Sequence, residues 1–128
     1  MILLLDSSTG VCRLIIVNGG VRYENEWQAD RALAKGLLRY LHDQLKLHEF
    51  TWTDITAIGV FRGPGSFTGL RIGMSVLNTI ASSQGIPIVG TTGDDWENEA
   101  LSKLDAGINE KIILPEYGGV ANITKPRK

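Results

Sequence analysis

The most informative segment of the chain reads Arg62-Gly63-Pro64-Gly65-Ser66-Phe67-Thr68-Gly69-Leu70-Arg71-Ile72-Gly73. An apolar segment from Ile58 to Phe61 precedes it, and a segment with the composition of a helix follows and ends near Gln84. This order predicts a strand, a tight turn built on glycine and proline, and a helix N-terminus. Backbone N–H groups at that end of a helix point outward at its positive pole. Such a junction can hold an anion or a closely apposed backbone.

Neither of the familiar phosphate-binding motifs fits this segment. A Walker A loop has a lysine after its last glycine, and the dinucleotide-binding fingerprint has a third glycine where Thr68 stands. Gly65, Gly69 and Gly73 recur every four residues, so the latter two could share a helix face and let a neighbouring element approach closely. Ser66 or Thr68 is the expected N-cap. The spacing leaves a packing role and a ligand-binding role both open.

Arg71 favours a binding role. A cation in the first turn of a helix opposes the helix dipole, at a cost of a few tenths to about 1 kcal/mol. We therefore expect a carboxylate or phosphate partner for Arg71, either inside the fold or on another molecule. The alternative is that its aliphatic stem only covers apolar surface.

Length and composition indicate one globular domain. The chain has 128 residues, 43% of them hydrophobic and 21% charged, and its net charge of −1 gives no argument for binding nucleic acid on its own. Its single cysteine, Cys12, excludes a disulfide within the chain. The apolar run after Met1 lacks the flanks of a signal peptide, and no segment approaches the roughly 20 apolar residues that span a bilayer. We expect a cytoplasmic protein that does not enter a membrane.

The periodicity of apolar residues predicts a mixed order of strands and helices. Asn18-Gly19-Gly20 marks a hairpin between the second and third strands. The predicted elements are strands at 2–5, 11–17 and 21–27, a helix at 30–47 with Asp30 as its N-cap, a strand at 57–61, a helix at 69–84 ended by Gly85, a strand at 86–90, a helix at 94–104 and a short strand or extended piece at 111–114.

This order is that of an α/β fold of the ribonuclease H-like, or actin-like ATPase, class. Three antiparallel strands are extended by parallel strands that helical crossovers reach, giving a mixed five-stranded sheet with helices packed on it. Residues 1–106 are expected to form this lobe. Residues 107–128 are expected to add a short strand and a C-terminal tail to the same single domain.

The first helix has an unusually wide apolar face. Leu33, Leu37, Leu41 and Leu45 recur every four residues, and Ala34 and Leu38 widen the stripe. A surface helix needs only one buried stripe, so the excess could face a partner. A helix covered on two sides by its own fold would show the same pattern.

The search for chemistry gives no catalytic set and no metal ligands. Asp6, Ser7, Ser8 and Thr9 follow the first strand, where actin-like folds place a phosphate loop and ribonuclease H-type nucleases place a metal carboxylate. A two-metal nuclease needs further converging carboxylates, but Arg62 stands at the end of the fourth strand. A phosphotransferase needs a second lobe for which the chain is too short. These four residues are therefore a candidate vestigial nucleotide loop.

The segment from Arg62 to Gly73 resembles the signature of the bacterial TsaB (YeaZ) family. The run 4–9 resembles the opening of that family, the run 86–90 its next strand, and Pro115-Glu116-Tyr117 its usual ending. Two departures are clear. Most of the second lobe of the family is missing between Gly90 and Pro115, and Leu33 stands where members usually have a histidine. A shortened member that keeps one lobe is the simplest explanation.

The resemblance implies a non-catalytic scaffold or activator subunit in the synthesis of threonylcarbamoyladenosine at position 37 of tRNA. It implies a paralogous TsaD-like transferase and a TsaE-like ATPase as partners, with ATP and metal in those partners, and tRNA reached only through the complex. Members associate through the two helices of this lobe, and the same surface would serve a homodimer. The residues expected to supply it are Leu33, Leu37, Tyr40, Leu41, Gly69, Gly73, Val76, Leu77 and Ile80.

Two other interpretations remain open from the residues alone. The first is a stand-alone nucleotide-binding or hydrolysing lobe that uses Asp6 and the glycine-rich segment. The second is a homodimeric interaction module without a role in tRNA modification.

Overall fold

A five-stranded sheet with helices on both faces organises the chain in the computed structural model, which describes residues 1–116. The predicted tail beyond residue 116 lies outside the described residues. The elements are β1 (Ile2–Asp6), β2 (Val11–Asn18), β3 (Val21–Gln28), α1 (Leu33–Leu47), β4 (Ala57–Phe61), α2 (Phe67–Gln84), β5 (Ile88–Thr91) and α3 (Trp96–Asp105), with short 3₁₀ turns at Asp30–Ala32 and Trp52–Asp54.

The strand order is β3-β2-β1-β4-β5, and the sheet is mixed as predicted. β1, β2 and β3 are antiparallel neighbours, and the two-residue turn Gly19-Gly20 joins β2 to β3. Gly19 has a φ of 63°, a conformation that glycine adopts without strain and that such hairpins require. β4 pairs in parallel with β1, and β5 pairs in parallel with β4, because α1 and α2 return the chain to the same end of the sheet.

Alternation along β1 separates two cores. Leu3 and Leu5 belong to the larger cluster, under α1 and α2, and Leu4 belongs to the smaller cluster, under α3. All three leucines are fully buried, because both faces of the central strand are covered by helices. α1 and α2 therefore share one face of the sheet, which makes their outer surfaces neighbours.

The starts of α1 and β5 differ from the expectation for local reasons. Asp30 is not the N-cap of α1: it lies in a 3₁₀ turn with a φ of 44°, and its carboxylate accepts a hydrogen bond of 3.0 Å from the side chain of Gln28. α1 begins at Leu33 with no side-chain cap. β5 begins at Ile88 rather than at 86, because the N–H of Ile86 closes the end of α2 by donating to the carbonyl oxygen of Ala81 at 3.0 Å.

The short strand or extended piece expected at residues 111–114 is not a strand in the structure. Instead, residues 109–116, here called the closing segment, run along the free edge of β5 and contact it largely through side chains. The N–H of Ile88 donates to Asn109 Oδ1 at 3.1 Å, and the N–H of Gly90 donates to Glu110 Oε1 at 2.7 Å. The N–H of Glu110 returns a bond of 2.9 Å to the carbonyl oxygen of Ile88. Side-chain oxygens thus bind the edge groups that a sixth strand would otherwise pair with.

Candidate functional site

The glycine-rich segment forms the corner between β4 and α2. Its Gly63–Pro64 peptide bond is cis. Ser66 is the N-cap of α2, because its hydroxyl accepts a hydrogen bond of 3.1 Å from the N–H of Gly69. Of the two predicted caps, Ser66 is therefore confirmed and Thr68 is not used. Gly85 ends the helix in the left-handed conformation, as expected.

The three glycines of the four-residue repeat pack α2 directly on the loop that follows β1. A Cβ atom on Gly69 would overlap the carbonyl oxygen of Ser7, and one on Gly73 would overlap the hydroxyl of Ser7. A Cβ atom on Gly65 would lie 2.5 Å from that of Ser8. Real Cβ atoms do not approach other heavy atoms so closely, and only glycine fits at these positions. The packing interpretation of the repeat is confirmed, and the neighbouring element is the loop of residues 6–9.

That same loop was the candidate nucleotide loop, and its polar groups are bonded within the chain. The hydroxyl of Ser7 donates to the carbonyl oxygen of Gly69 at 2.8 Å. The N–H and hydroxyl of Ser8 both donate to Asp6 Oδ1, at 2.9 Å and 2.6 Å. Ser7 and Ser8 are 2% and 6% exposed, with α2 lying against them. Ser7 and Ser8 are therefore not placed to hold a nucleotide phosphate, because these donors already have partners and helix α2 fills the space beside them. Thr9 is exposed and bonds to the backbone of Val11.

The two arginines of the segment have different surroundings. Arg62 fixes the corner to the closing segment: its Nε donates to the carbonyl oxygen of Leu114 at 3.0 Å, and its own carbonyl oxygen accepts from the N–H of Glu116 at 2.7 Å. Arg71 is exposed, and its guanidinium lies 5.1 Å from the centre of the Phe67 ring. No carboxylate within residues 1–116 forms an ion pair with Arg71. Its expected anionic partner is therefore not found within the described part of the fold.

Most of the residues expected to form the partner surface lie in the core of this chain. Their side chains or Cα positions face the sheet because the four-residue repeat of each helix is the stripe that packs on it. This corrects the expectation for seven of the nine positions, which are Leu33, Leu37, Leu41, Gly69, Gly73, Leu77 and Ile80. Tyr40 and Val76 are half-buried. Tyr40 stacks on Trp27 at the side of α1 that faces β3, and burial raises the pKa of its hydroxyl.

The exposed surface of α1 and α2 lies beside the buried stripe of each helix. Leu38, which widened the apolar face in the sequence, is 55% exposed at the centre of two adjoining depressions of about 220 Å³ and 430 Å³. Trp52 lines both depressions with it. This surface, here called the helix-pair face, consists of Lys35, Leu38, Arg39, Trp52, Thr79 and Ser83.

Sequence reasoning identified the excess apolar residue Leu38 but missed the other members of the helix-pair face. Trp52 lies in a 3₁₀ turn after α1, where no periodicity indicates which way a side chain points. Thr79 and Ser83 are small polar residues on the outer side of α2, and their type alone does not distinguish an interface from any solvated helix.

The cysteine, histidine and acidic side chains of the described residues do not form a second site. Within residues 1–116, no three His, Cys, Asp or Glu side chains converge where they could hold a metal ion. Burial raises the pKa of Cys12 to about 12, with a smaller effect from the charge of Asp6, so its thiol is a core group. His42 is exposed, and His48 stacks on Tyr23 at 4.1 Å.

No helix in the described part of the chain is long and apolar enough to cross a membrane.

Comparison with known proteins identifies the family. Residues 18–92, more than half of the chain, match the family model described as "TsaD: tRNA N6-adenosine threonylcarbamoyltransferase". The Escherichia coli K12 "tRNA threonylcarbamoyladenosine biosynthesis protein TsaB" is 32% identical over 117 residues, which are 87% of this chain and 51% of that protein. The chain belongs to the TsaB/YeaZ family. It spans about half the length of the curated TsaB relatives that it matches.

Solved structures support both the TsaB/YeaZ membership and the fold. YeaZ from Pseudomonas aeruginosa superposes with a TM-score of 0.67 at 30% identity, covering 71% of this chain and 43% of YeaZ. RuvC from T. thermophilus superposes with a TM-score of 0.50 at 13% identity, covering 91% of this chain and 83% of RuvC. The likeness to RuvC concerns the fold alone. Together they confirm the ribonuclease H-like class predicted from the order of elements.

Proposed function

We propose that this chain is a non-catalytic subunit in the synthesis of threonylcarbamoyladenosine in tRNA, and that it binds a TsaD-type transferase through its helix-pair face. The observation that carries the proposal is the exposed Leu38 on α1, set between Lys35 and Arg39 and lying beside Trp52. An apolar side chain rimmed by polar groups on two adjacent helices is a typical centre of a protein interface.

A non-catalytic role is supported by the loop after β1. The donors of Ser7 and Ser8 bond to Gly69 and Asp6, so the positions that an actin-like enzyme would use for phosphate serve packing here. At the end of β4, Arg62 bonds to the closing segment rather than facing an open cleft. We therefore propose that ATP and metal belong to the partners, a TsaD-like transferase and a TsaE-like ATPase, and that tRNA is reached through the complex.

The role of the helix-pair face is tested with two exposed leucines of α1. Leu38→Asp places a carboxylate at the centre of the face, whereas Leu47→Asp changes a leucine that is 66% exposed at the end of the same helix. Both variants, the parent chain and the cognate TsaD-type transferase are mixed, and complex mass and affinity are measured by light scattering and calorimetry. We expect Leu38→Asp to weaken binding at least tenfold and Leu47→Asp to bind like the parent chain.

Three results would contradict the proposal. The first is a Leu38→Asp variant that binds the transferase like the parent chain. The second is transfer of the threonylcarbamoyl group that proceeds equally well when the chain is omitted. The third is tight binding of Mg-ATP by the isolated chain in calorimetry, which would favour a stand-alone nucleotide-binding lobe.

A further inference from the structure

The two edges of the sheet differ in whether another segment covers them. At the β5 edge, Asn109 and Glu110 of the closing segment bind the N–H groups of Ile88 and Gly90. The opposite edge is β3 (Val21–Gln28), which pairs only with β2. Within residues 1–116, no other segment forms backbone hydrogen bonds to the outer side of β3. An open edge of this kind can accept a further strand.

The backbone groups that point outward from β3 belong to alternate residues. In a hairpin with a two-residue turn, the two residues that flank the turn form a hydrogen-bonded pair, and hydrogen-bonded and non-hydrogen-bonded pairs alternate from there. Asn18 and Val21 flank the turn of this hairpin. The odd-numbered residues of β3 therefore bond inward to β2. The outward N–H and carbonyl groups belong to the even-numbered residues, which are Arg22, Glu24, Glu26 and Gln28.

The charges on the outward residues favour one antiparallel register with a second copy of the strand. Opposite charges, Arg22 and Glu24, flank Tyr23 on its two sides. A two-fold axis at Tyr23 therefore brings Arg22 of each copy opposite Glu24 of the other. Every other antiparallel register that pairs outward residues and overlaps more than three residues puts two carboxylates directly opposite each other, which destabilises a strand pair.

The side chains at this register complement one another on both faces of the sheet. On one face, Arg22 Nη2 already lies 3.4 Å from Glu24 Oε2 of the same strand, so two copies would form an array of alternating cations and carboxylates. On the other face, Tyr23 would meet its counterpart beside its existing stack on His48. The second strand would also cover Val21, whose side chain is 50% exposed. Opposite-charge pairs and aromatic pairs across strands both stabilise a sheet.

We infer that the β3 edge binds a second copy of this chain, in an antiparallel contact centred on Tyr23 that joins two five-stranded sheets into one. Backbone hydrogen bonds at Arg22 and Glu24 supply the affinity, and the two Arg22–Glu24 pairs fix the register. The assembly ends at two copies, because both outer edges are then β5, which the closing segment covers. The inference is independent of the proposed function, since the contact uses no residue of the helix-pair face.

The first experiment measures self-association and locates the contact. The reference chain and all variants carry Leu38→Asp, so that contacts between helix-pair faces do not contribute. Sedimentation equilibrium gives the dissociation constant of the dimer, and NMR follows hydrogen exchange as the protein concentration rises. We expect a dimer in which exchange of the Arg22 and Glu24 N–H groups slows about tenfold or more. The N–H of Gln28, which points outward beyond the overlap, should keep its exchange rate.

Proline substitutions test the backbone bonds of the edge. A proline at an outward-facing position removes a donor from the open edge but no hydrogen bond to β2. Glu24→Pro should therefore weaken dimerisation about tenfold or more. Gln28→Pro makes the same change at an outward position beyond the overlap and should leave the dissociation constant unchanged. Circular dichroism checks that both variants fold.

Charge reversals test the register without altering the backbone. Arg22→Glu places carboxylates opposite carboxylates across the contact, and Glu24→Arg places cations opposite cations. Each variant alone should dimerise about fivefold more weakly than the reference chain. Their mixture should form a heterodimer about as tight as the reference dimer, because every carboxylate of one variant then meets an arginine of the other. Glu26→Arg, on the same strand but outside the overlap, should have no effect.

The results that would overturn the inference are specific to this edge. A reference chain that stays monomeric as its concentration rises contradicts it, and so does a dimer that Glu24→Pro leaves as tight as before. Protection of the Gln28 N–H in place of the Glu24 N–H would show a different contact, as would a mixture of the charge variants that does not associate. If a proline variant does not fold, the charge variants decide. Transferase binding is tested separately by Leu38→Asp and Leu47→Asp, so either proposal can fail alone.

Discussion

The hydroxyl of Ser7 donates a hydrogen bond of 2.8 Å to the carbonyl oxygen of Gly69, and the same hydroxyl occupies the space that a Cβ atom on Gly73 would need. One side chain after β1 thus contacts two successive turns of α2. The contact requires a short side chain at Ser7 and the absence of a Cβ atom at Gly69 and Gly73. This pairing places α2 directly against the loop that follows β1.

Gly73→Ala tests the tightness of this contact. The added methyl group would overlap the hydroxyl of Ser7, so we expect a loss of about 1–3 kcal/mol in the free energy of unfolding. Urea denaturation measures the change. Gly20→Ala is the control, because no atom lies within 4 Å of a Cβ placed there, and its stability should stay within about 0.5 kcal/mol of the parent chain.

A second substitution tests whether overlap with the hydroxyl of Ser7 causes the destabilisation expected from Gly73→Ala. Ser7→Gly removes the hydroxyl and should on its own destabilise the chain by the loss of one buried hydrogen bond, about 1 kcal/mol. In the double variant, Gly73→Ala should cost less than it does in the parent chain. Strictly additive effects would show that the two residues are not coupled.

Ser66→Ala and Thr68→Ala separate the two residues that the sequence offered as caps of α2. Ser66 accepts a bond from the N–H of Gly69, so its replacement should lower the free energy of unfolding by about 1 kcal/mol. Thr68 is an exposed residue inside the helix, where alanine has the better propensity, so its replacement should be neutral or slightly stabilising. Equal losses in both variants would argue against Ser66 as the cap.

Features of the fold that depend on residues close in sequence are predictable from the sequence, and features that depend on distant contacts are not. The corner at residues 62–69 and the end of α2 at Gly85 depend on neighbours within a few residues and are predicted from sequence, and the cap of α2 is narrowed to Ser66 or Thr68. The burial of Leu37 was misassigned because periodicity shows that α1 has an apolar stripe but not whether the sheet or a partner covers it. The sheet covers that stripe, and Ala34 and Leu38, which lie beside it, stay exposed.

The closing segment could not be predicted for a related reason. Its contacts join side chains to backbone groups that are 20 or more residues away, and such pairings have no period and no sequence signature. Asn78 is one of several polar residues of α2, and its residue type alone does not indicate a contact with a distant segment. In the structure its amide both donates to and accepts from the backbone of Ile113, at 3.0 Å and 2.9 Å.

Asn78→Ala should release the closing segment from α2. The backbone N–H and carbonyl of Ile113 would both lose their partner at a residue that is 3% exposed, so we expect a loss of about 2–3 kcal/mol or local detachment. Hydrogen exchange at Ile113 and limited proteolysis distinguish the two. Ser82→Ala, an exposed position one turn further along α2, should leave both measurements unchanged.

Glu110 predicts a pH dependence of stability. Burial raises the pKa of this carboxyl, but hydrogen bonds from the N–H of Gly90 and from Lys103, with the charges of Lys103 and Arg62, lower it more, so its pKa lies below the ordinary value of 4.5. A carboxyl with a lowered pKa in the folded state stabilises the fold above its unfolded pKa and loses that contribution as pH falls through its folded pKa. Stabilisation by Glu110 should therefore be complete at neutral pH and fade below about pH 4.5.

Glu110→Gln is the matching variant, since glutamine keeps the shape but not the charge. The difference in unfolding free energy between the parent chain and this variant should be constant from pH 7 to about pH 5 and should shrink at lower pH. A difference that grows on acidification would mean that the pKa of Glu110 is raised instead. Exchange of the Gly90 N–H, followed over the same range, reports on the contact directly.

The closing segment also affects how molecules of this chain interact with one another at high concentration. An exposed edge strand offers N–H and C=O groups to which a strand of a second chain can add. β5 is an edge strand, and Asn109 and Glu110 already bind the N–H groups of Ile88 and Gly90. Molecules in which the closing segment detaches from β5 should therefore assemble edge to edge, so that self-association increases with the population of the detached form.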